Sequence, residues 1–126
     1  MNSNNSSAYN NKGSVLYNLK KFNDAIECYN NALELNSNYP HAYNNKGNVL
    51  DGLKRYQEAI ECYDIVIELN PNHVNTYYNK GNMLMKLNKL KEAIECYDRA
   101  IKLDPNYSLA INKRNIALNK IRKIEL

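Results

Sequence analysis

A 34-residue recurrence constrains this chain more than any other feature. Tyr9-Asn10-Asn11-Lys12-Gly13 returns as Tyr43-Asn44-Asn45-Lys46-Gly47 and as Tyr77-Tyr78-Asn79-Lys80-Gly81. Downstream of each copy, Ala25-Ile26-Glu27-Cys28-Tyr29 returns as Ala59-Ile60-Glu61-Cys62-Tyr63 and Ala93-Ile94-Glu95-Cys96-Tyr97. A fixed period of this length denotes stacked helix pairs that bury their apolar faces on one another, because no single pair can bury its own. About three copies are the minimum for stability, and the chain has three.

The apolar spacing predicts seven helices. The polar residues 1–5 are expected to be disordered, with Ser6 and Ser7 capping a first helix that runs to about Leu19. The others are expected at about Asn23 to Leu35, Pro40 to Leu53, Tyr56 to Leu69, 74–87, 90–103 and 108–126. Pro40 suits a first helical turn, where its missing N–H costs nothing. Asn70-Pro71-Asn72 is expected to stop one helix and cap the next. The repeats then span 6–39, 40–73 and 74–107 of a single domain, 6–126, closed by a capping helix over 108–126.

The recurring residues suit packing. Gly13, Gly47 and Gly81 let two helices approach closely, and a helical Gly costs about 1 kcal/mol against Ala, so its repetition implies a packing reason. Ala25, Ala59 and Ala93 are small for the same purpose. Tyr29, Tyr63 and Tyr97 fill the groove beside them. Leu16, Leu50, Leu84, Leu35, Leu69 and Leu103 complete the interface. On the last helix Ile111, Leu118 and Ile121 are the expected packing residues.

Charge and cysteine content narrow the function. The net charge is +4, made of 0, −2 and +2 in the three repeats and +4 in residues 108–126. That excess is too small and too local for a nucleic-acid binder. Cys28, Cys62 and Cys96 stand one per repeat, about a helix diameter apart, which is too far for disulfides. Nor do they form the close pairs that hold zinc. Free thiols suit a reducing compartment, and a cytoplasmic location is expected. No membrane span and no apolar leader is visible. His41 and His73 stand alone, and no nucleophile triad, phosphate-cradling loop or paired carboxylates appear. The chain is therefore read as a non-enzyme with no cofactor or metal. Asn fills 24 of 126 positions, so much of its recurrence is compositional.

The recurring pattern resembles the tetratricopeptide repeat family over residues 6 to about 122. The signature positions in the second unit are Tyr43, Gly47, Leu50, Ala59, Tyr63, Val66 and Pro71. The resemblance implies an all-α, right-handed superhelical solenoid of helix-turn-helix repeats. Three departures stand out. Ser37 replaces the proline, and Lys12, Lys46 and Lys80 stand where Leu is usual. Lys20, Lys54 and Asn88 fill a turn position that often carries Gly. A left-handed Lys costs about 1–2 kcal/mol, so those turns are expected to be built differently.

The resemblance also implies that the first helices of the repeats line a concave, peptide-binding face. Its candidate lining is Asn10, Asn11, Ser14 and Tyr17; then His41, Asn44, Asn45, Asn48 and Asp51; then Asn75, Tyr78, Asn79, Asn82, Met85 and Lys86. Asn11, Asn45 and Asn79 form a ladder whose carboxamides offer both donor and acceptor to a peptide backbone. The family's chaperone clamp for a C-terminal aspartate needs cations. Its positions here carry Asn10, Ser14, Asn45, Asn75 and Asn79, and only Asn45 agrees. One repeat along they carry Asn44, Asn48, Asn79, Leu109 and Lys113, and only Asn48, Asn79 and the charge of Lys113 agree. The clamp is not expected. Leu109, Lys113 and Ile116 are expected at the end of the groove.

The reading is a protein-interaction scaffold that holds a peptide or partner segment. The alternatives are a structural or self-associating segment, with a monomer favoured, and an acidic-ligand binder using the basic final helix.

Overall fold

The computed structural model describes residues 3–125, which form helices and turns without a strand. The helices are α1 (Ser3–Asn18), α2 (Phe22–Leu35), α3 (Pro40–Gly52), α4 (Tyr56–Leu69), α5 (Val74–Lys86), α6 (Leu90–Leu103) and α7 (Ser108–Glu125). They fall into two compact units, Met1–Asn70 and Pro71–Leu126. In the first, α1 pairs with α2, α3 pairs with α4, and α2 also packs on α3. In the second, α5 pairs with α6, and α7 lies on α6 with a lighter contact to α5.

Each helix pair closes on a glycine. A Cβ added to Gly13, Gly47 or Gly81 would stand 2.6 Å from Cε1 of Tyr29, Tyr63 or Tyr97 respectively. The tyrosine ring therefore lies directly on glycine backbone, and all three rings are buried to within 1% of full enclosure. Ala25, Ala59 and Ala93 are fully buried on the tyrosine-bearing helices. Leu50 and Leu84 are buried as expected, but Leu69 is 39% exposed, because it ends α4 where the chain leaves the pair. In α7 the fully buried residues are Ala110 and Ala117, and Leu118 is 40% exposed. Small side chains make the close contact, which leaves Leu118 at the edge rather than in the interface. Cys28 and Cys62 are buried, Cys96 is half-buried, and all three are free thiols.

Two expectations about helix starts are corrected. Residues 1 and 2 lie outside the described residues, but α1 is already helical at Ser3. Ser6 is not its cap: it is buried inside the helix and donates to the Ala32 carbonyl at 3.0 Å. The cap of α5 is His73 rather than Asn72, and its Nδ1 shares a 2.6 Å hydrogen bond with Thr76 Oγ1.

The turns within pairs do use the left-handed region, contrary to expectation. Lys20, Lys54 and Asn88 have φ of 61°, 61° and 60°. The compensation is a pair of hydrogen bonds repeated at each turn. Lys20 N donates to Tyr17 O and Lys21 N to Leu16 O, both at 2.8 Å. The same pairs join Lys54 to Asp51 and Arg55 to Leu50, then Asn88 to Met85 and Lys89 to Leu84. This is the usual helix-ending arrangement that satisfies orphan carbonyls, built here without glycine.

These two glycine-linked features predict opposite signs. Gly47→Ala should destabilise by about 1–2 kcal/mol, overpacking outweighing the gain in helix propensity. Lys54→Gly should stabilise by up to about 1 kcal/mol by relieving the left-handed backbone. Thermal unfolding of both variants beside the parent checks the pair.

Candidate functional site

In the first unit the candidate residues are tied into the fold more closely than the helical pattern suggested. Asn10 is only 8% exposed, so it is a support and not a lining residue. Its Oδ1 accepts from Asn45 Nδ2 at 3.0 Å, which joins α1 to α3. Ser14 Oγ shares a 3.2 Å hydrogen bond with the Tyr29 hydroxyl. One repeat on, the Tyr63 hydroxyl donates to Asn48 Oδ1 at 2.6 Å. Tyr17 is half-buried, its ring 5.7 Å from that of Phe22, and it packs beside the cluster of Ala25, Tyr29 and Val49. Part of its surface is therefore spent on the core. Asn11 and His41 are exposed, and Asn44 and Asn45 are half-buried. The Asn44 Oδ1 atom is shielded and has no hydrogen-bond partner.

The second unit repeats the arrangement and adds an aromatic cluster. The Tyr97 hydroxyl donates to Asn82 Oδ1 at 2.7 Å. Tyr78 stacks on Tyr107 with ring centroids 5.4 Å apart and planes at 30°, and leans on Tyr97 at 6.0 Å. The Tyr107 hydroxyl donates to Asn75 Oδ1 at 2.7 Å. Asn79 and Met85 are half-buried, and Lys86 is exposed. Tyr107 was missed from sequence because it lies in the turn before α7, off the recurring helical face. Its signal is the recurrence of an aromatic ring at that register, Tyr39, His73 and Tyr107. On α7, Leu109 and Ile116 are 54% and 45% exposed, as expected, and Lys113 is half-buried. Arg114 NH1 reaches Asp98 Oδ1 at 3.3 Å.

The chemistry of these faces is hydrogen bonding and stacking. A carboxamide oxygen that already accepts from a tyrosine keeps one lone pair, and its NH2 group, held in place by that bond, offers two donors. Asn48 and Asn82 therefore offer more donors than acceptors. Burial raises the hydroxyl pKa of Tyr63, with the Asp51 charge adding to it, and burial raises that of Tyr97 next to Tyr78. Both hydroxyls stay protonated at neutral pH and keep donating. Among the described residues no group of three or more His, Cys, Asp and Glu could hold a metal. No described helix is long and apolar enough to cross a membrane.

The raised tyrosine pKa values predict alkaline sensitivity. A folded pKa above the unfolded value of about 10 means stability is complete below that pH and is lost as pH rises beyond it. Urea unfolding should give a flat stability contribution from pH 7 to 9 and a decline above about 10. Tyr63→Phe and Tyr97→Phe should each flatten that decline; an unchanged slope would contradict the assignment.

The geometry has close counterparts. The first TPR domain of Spaghetti (RPAP3), solved with the HSP90 peptide SRMEEVD, superposes with a TM-score of 0.92 at 24% identity over 97% of both chains. The first TPR domain of human RPAP3 gives 0.91 at 23% identity over 98% of both. YrrB, described as a TPR protein with an unusual peptide-binding site, gives 0.83 at 28% identity over 91% of this chain and 58% of its own. No curated protein matches the sequence. The sequence pattern that defines the tetratricopeptide repeat matches residues 6–39, 40–73 and 74–107, so the chain belongs to the tetratricopeptide repeat family.

Proposed function

We propose that the chain is a protein-interaction scaffold whose units hold a peptide or partner segment on the first helices of their repeats, α1 and α3 in the first unit and α5 in the second. The contacts come from Asn11, Tyr17, Asn44, Asn45 and Asn48 in the first unit, and from Tyr78, Asn79 and Asn82 in the second. The observation that carries the reading is the tyrosine-held carboxamide. Asn48 and Asn82 stand one repeat apart, and each has its oxygen fixed by a buried hydroxyl. Donors fixed before binding lose little freedom on binding, which is what a peptide site gains from preorganisation. The peptide-bound Spaghetti domain supports a peptide ligand for this fold. The cation positions of the C-terminal clamp hold Asn10, Asn75 and Asn79 instead, and Asn10 and Asn75 already accept internal hydrogen bonds. A buried carboxylate would lack a partner there, so the ligand of this chain need not end in aspartate. The three free thiols support a reducing compartment such as the cytoplasm.

The first repeat supplies its own test substitution, since Ser14 meets Tyr29 where the other repeats use Asn. Asn48→Ser/Asn82→Ser should keep the fold, with a melting temperature within a few degrees, while removing both donor groups. A partner captured by the parent chain and lost by this variant supports the reading; equal capture by both refutes it.

One observation favours self-association as a second reading. Val15 is 58% exposed at the register where Val49 is fully buried, and Leu19 is 61% exposed beside it. Light scattering over a hundredfold concentration range should then show mass rising with concentration, and Val15→Glu should abolish the rise. A constant monomer mass excludes this reading.

A further inference from the structure

We propose that the second unit takes an acidic amphipathic helix, laid along the α7 stripe of Leu109, Lys113, Ile116 and Lys120. The inference rests on the scaffold reading above and names the chemistry of its partner. Leu109, Lys113 and Ile116 stand 34 residues after Asn75, Asn79 and Asn82, so they occupy on α7 the registers of the candidate face on α5. Where α5 offers carboxamides, α7 offers two exposed aliphatic side chains and a cation. Lys120 and Lys123 continue the stripe and are exposed.

Charge selects the partner's sign. The first unit has six basic and eight acidic side chains, and the second has eleven and five, giving −2 and +6. Glu125 is the only acid in α7, at its C-terminal end and outside the stripe. A second α7 from another copy would bring like charge against like charge, which argues against self-pairing here.

Backbone chemistry selects the partner's conformation. An extended segment carries N–H and C=O groups that need partners wherever water is excluded. Leu109, Lys113 and Ile116 have no side-chain acceptor. On α5 the oxygens of Asn75 and Asn82 keep one lone pair each, the other accepting from Tyr107 and Tyr97. A helix satisfies its own backbone and needs only side-chain complementarity. Leu109 and Ile116 are seven residues apart, about two helical turns or 10.5 Å, and Lys113 lies between them. A partner helix with apolar residues at the same spacing, interleaved with Asp or Glu, matches that stripe.

A displayed library of random peptides about four helical turns long, selected on the full chain at low salt, tests this. The enriched peptides should carry Leu or Ile at helical spacing with interleaved acids, and should gain helical circular dichroism on binding. Leu109→Asp/Ile116→Asp, at exposed positions that leave the fold intact, should weaken them at least tenfold. Lys113→Glu/Lys120→Glu should do the same and remove most of their salt dependence. Extended peptides lost by Asn48→Ser/Asn82→Ser but kept by Leu109→Asp/Ile116→Asp would overturn this inference and leave the scaffold reading standing. Peptides indifferent to both variants, or no enrichment, would overturn both.

Discussion

The contact of a tyrosine ring with glycine backbone sets everything else in this fold. Its 2.6 Å constraint on any added Cβ fixes how closely the two helices of a pair approach. The approach encloses the ring completely and leaves its hydroxyl at the far side of the helix. There the hydroxyl meets Ser14, Asn48 or Asn82, three residues on the candidate binding face. One contact therefore holds the pair together and orients the polar groups of the proposed face. On that reading affinity and stability would be coupled through it, since loosening the pair would also free the carboxamides.

The same contact explains why α7 differs. Asn115 stands at the register of Gly13, Gly47 and Gly81. A side chain there blocks a tyrosine-bearing helix from docking as α2, α4 and α6 do. α7 is thus freed from the demand for a glycine face, and its sequence changes accordingly. Aliphatic and basic residues replace asparagine, and the buried contact passes to Ala110 and Ala117.

The helix order and its tightest contacts were legible in the sequence, because the 34-residue period repeats the glycine, alanine and tyrosine together. What was not legible depended on hydrogen bonds that a helical wheel does not carry. The wheel placed Asn10 on the lining, but its carboxamide is committed to Asn45 and buried. The wheel gave Tyr17 wholly to the ligand, although the neighbouring Phe22 shares its ring. Steric cost alone argued against a left-handed Lys20 and Lys54. The paired carbonyl hydrogen bonds at each turn offset that cost, and no residue identity announces them. Tyr107 escaped notice although Tyr39, His73 and Tyr107 recur at the 34-residue period, because they stand in the turns and not on the helical face.

Once the internal hydrogen bonds are counted, the asparagine-rich faces look less uniform than their composition. A carboxamide has two N–H donors and two lone pairs on its oxygen, and the fold uses one of those lone pairs on Asn10, Asn48, Asn75 and Asn82. What remains toward solvent is biased to N–H donation. Such a surface favours ligands rich in acceptors, meaning backbone carbonyls or carboxylates, over ligands rich in N–H groups. The net +6 of the second unit acts in the same direction. In the first unit no charge reinforces the bias, so its selectivity rests on amide geometry alone.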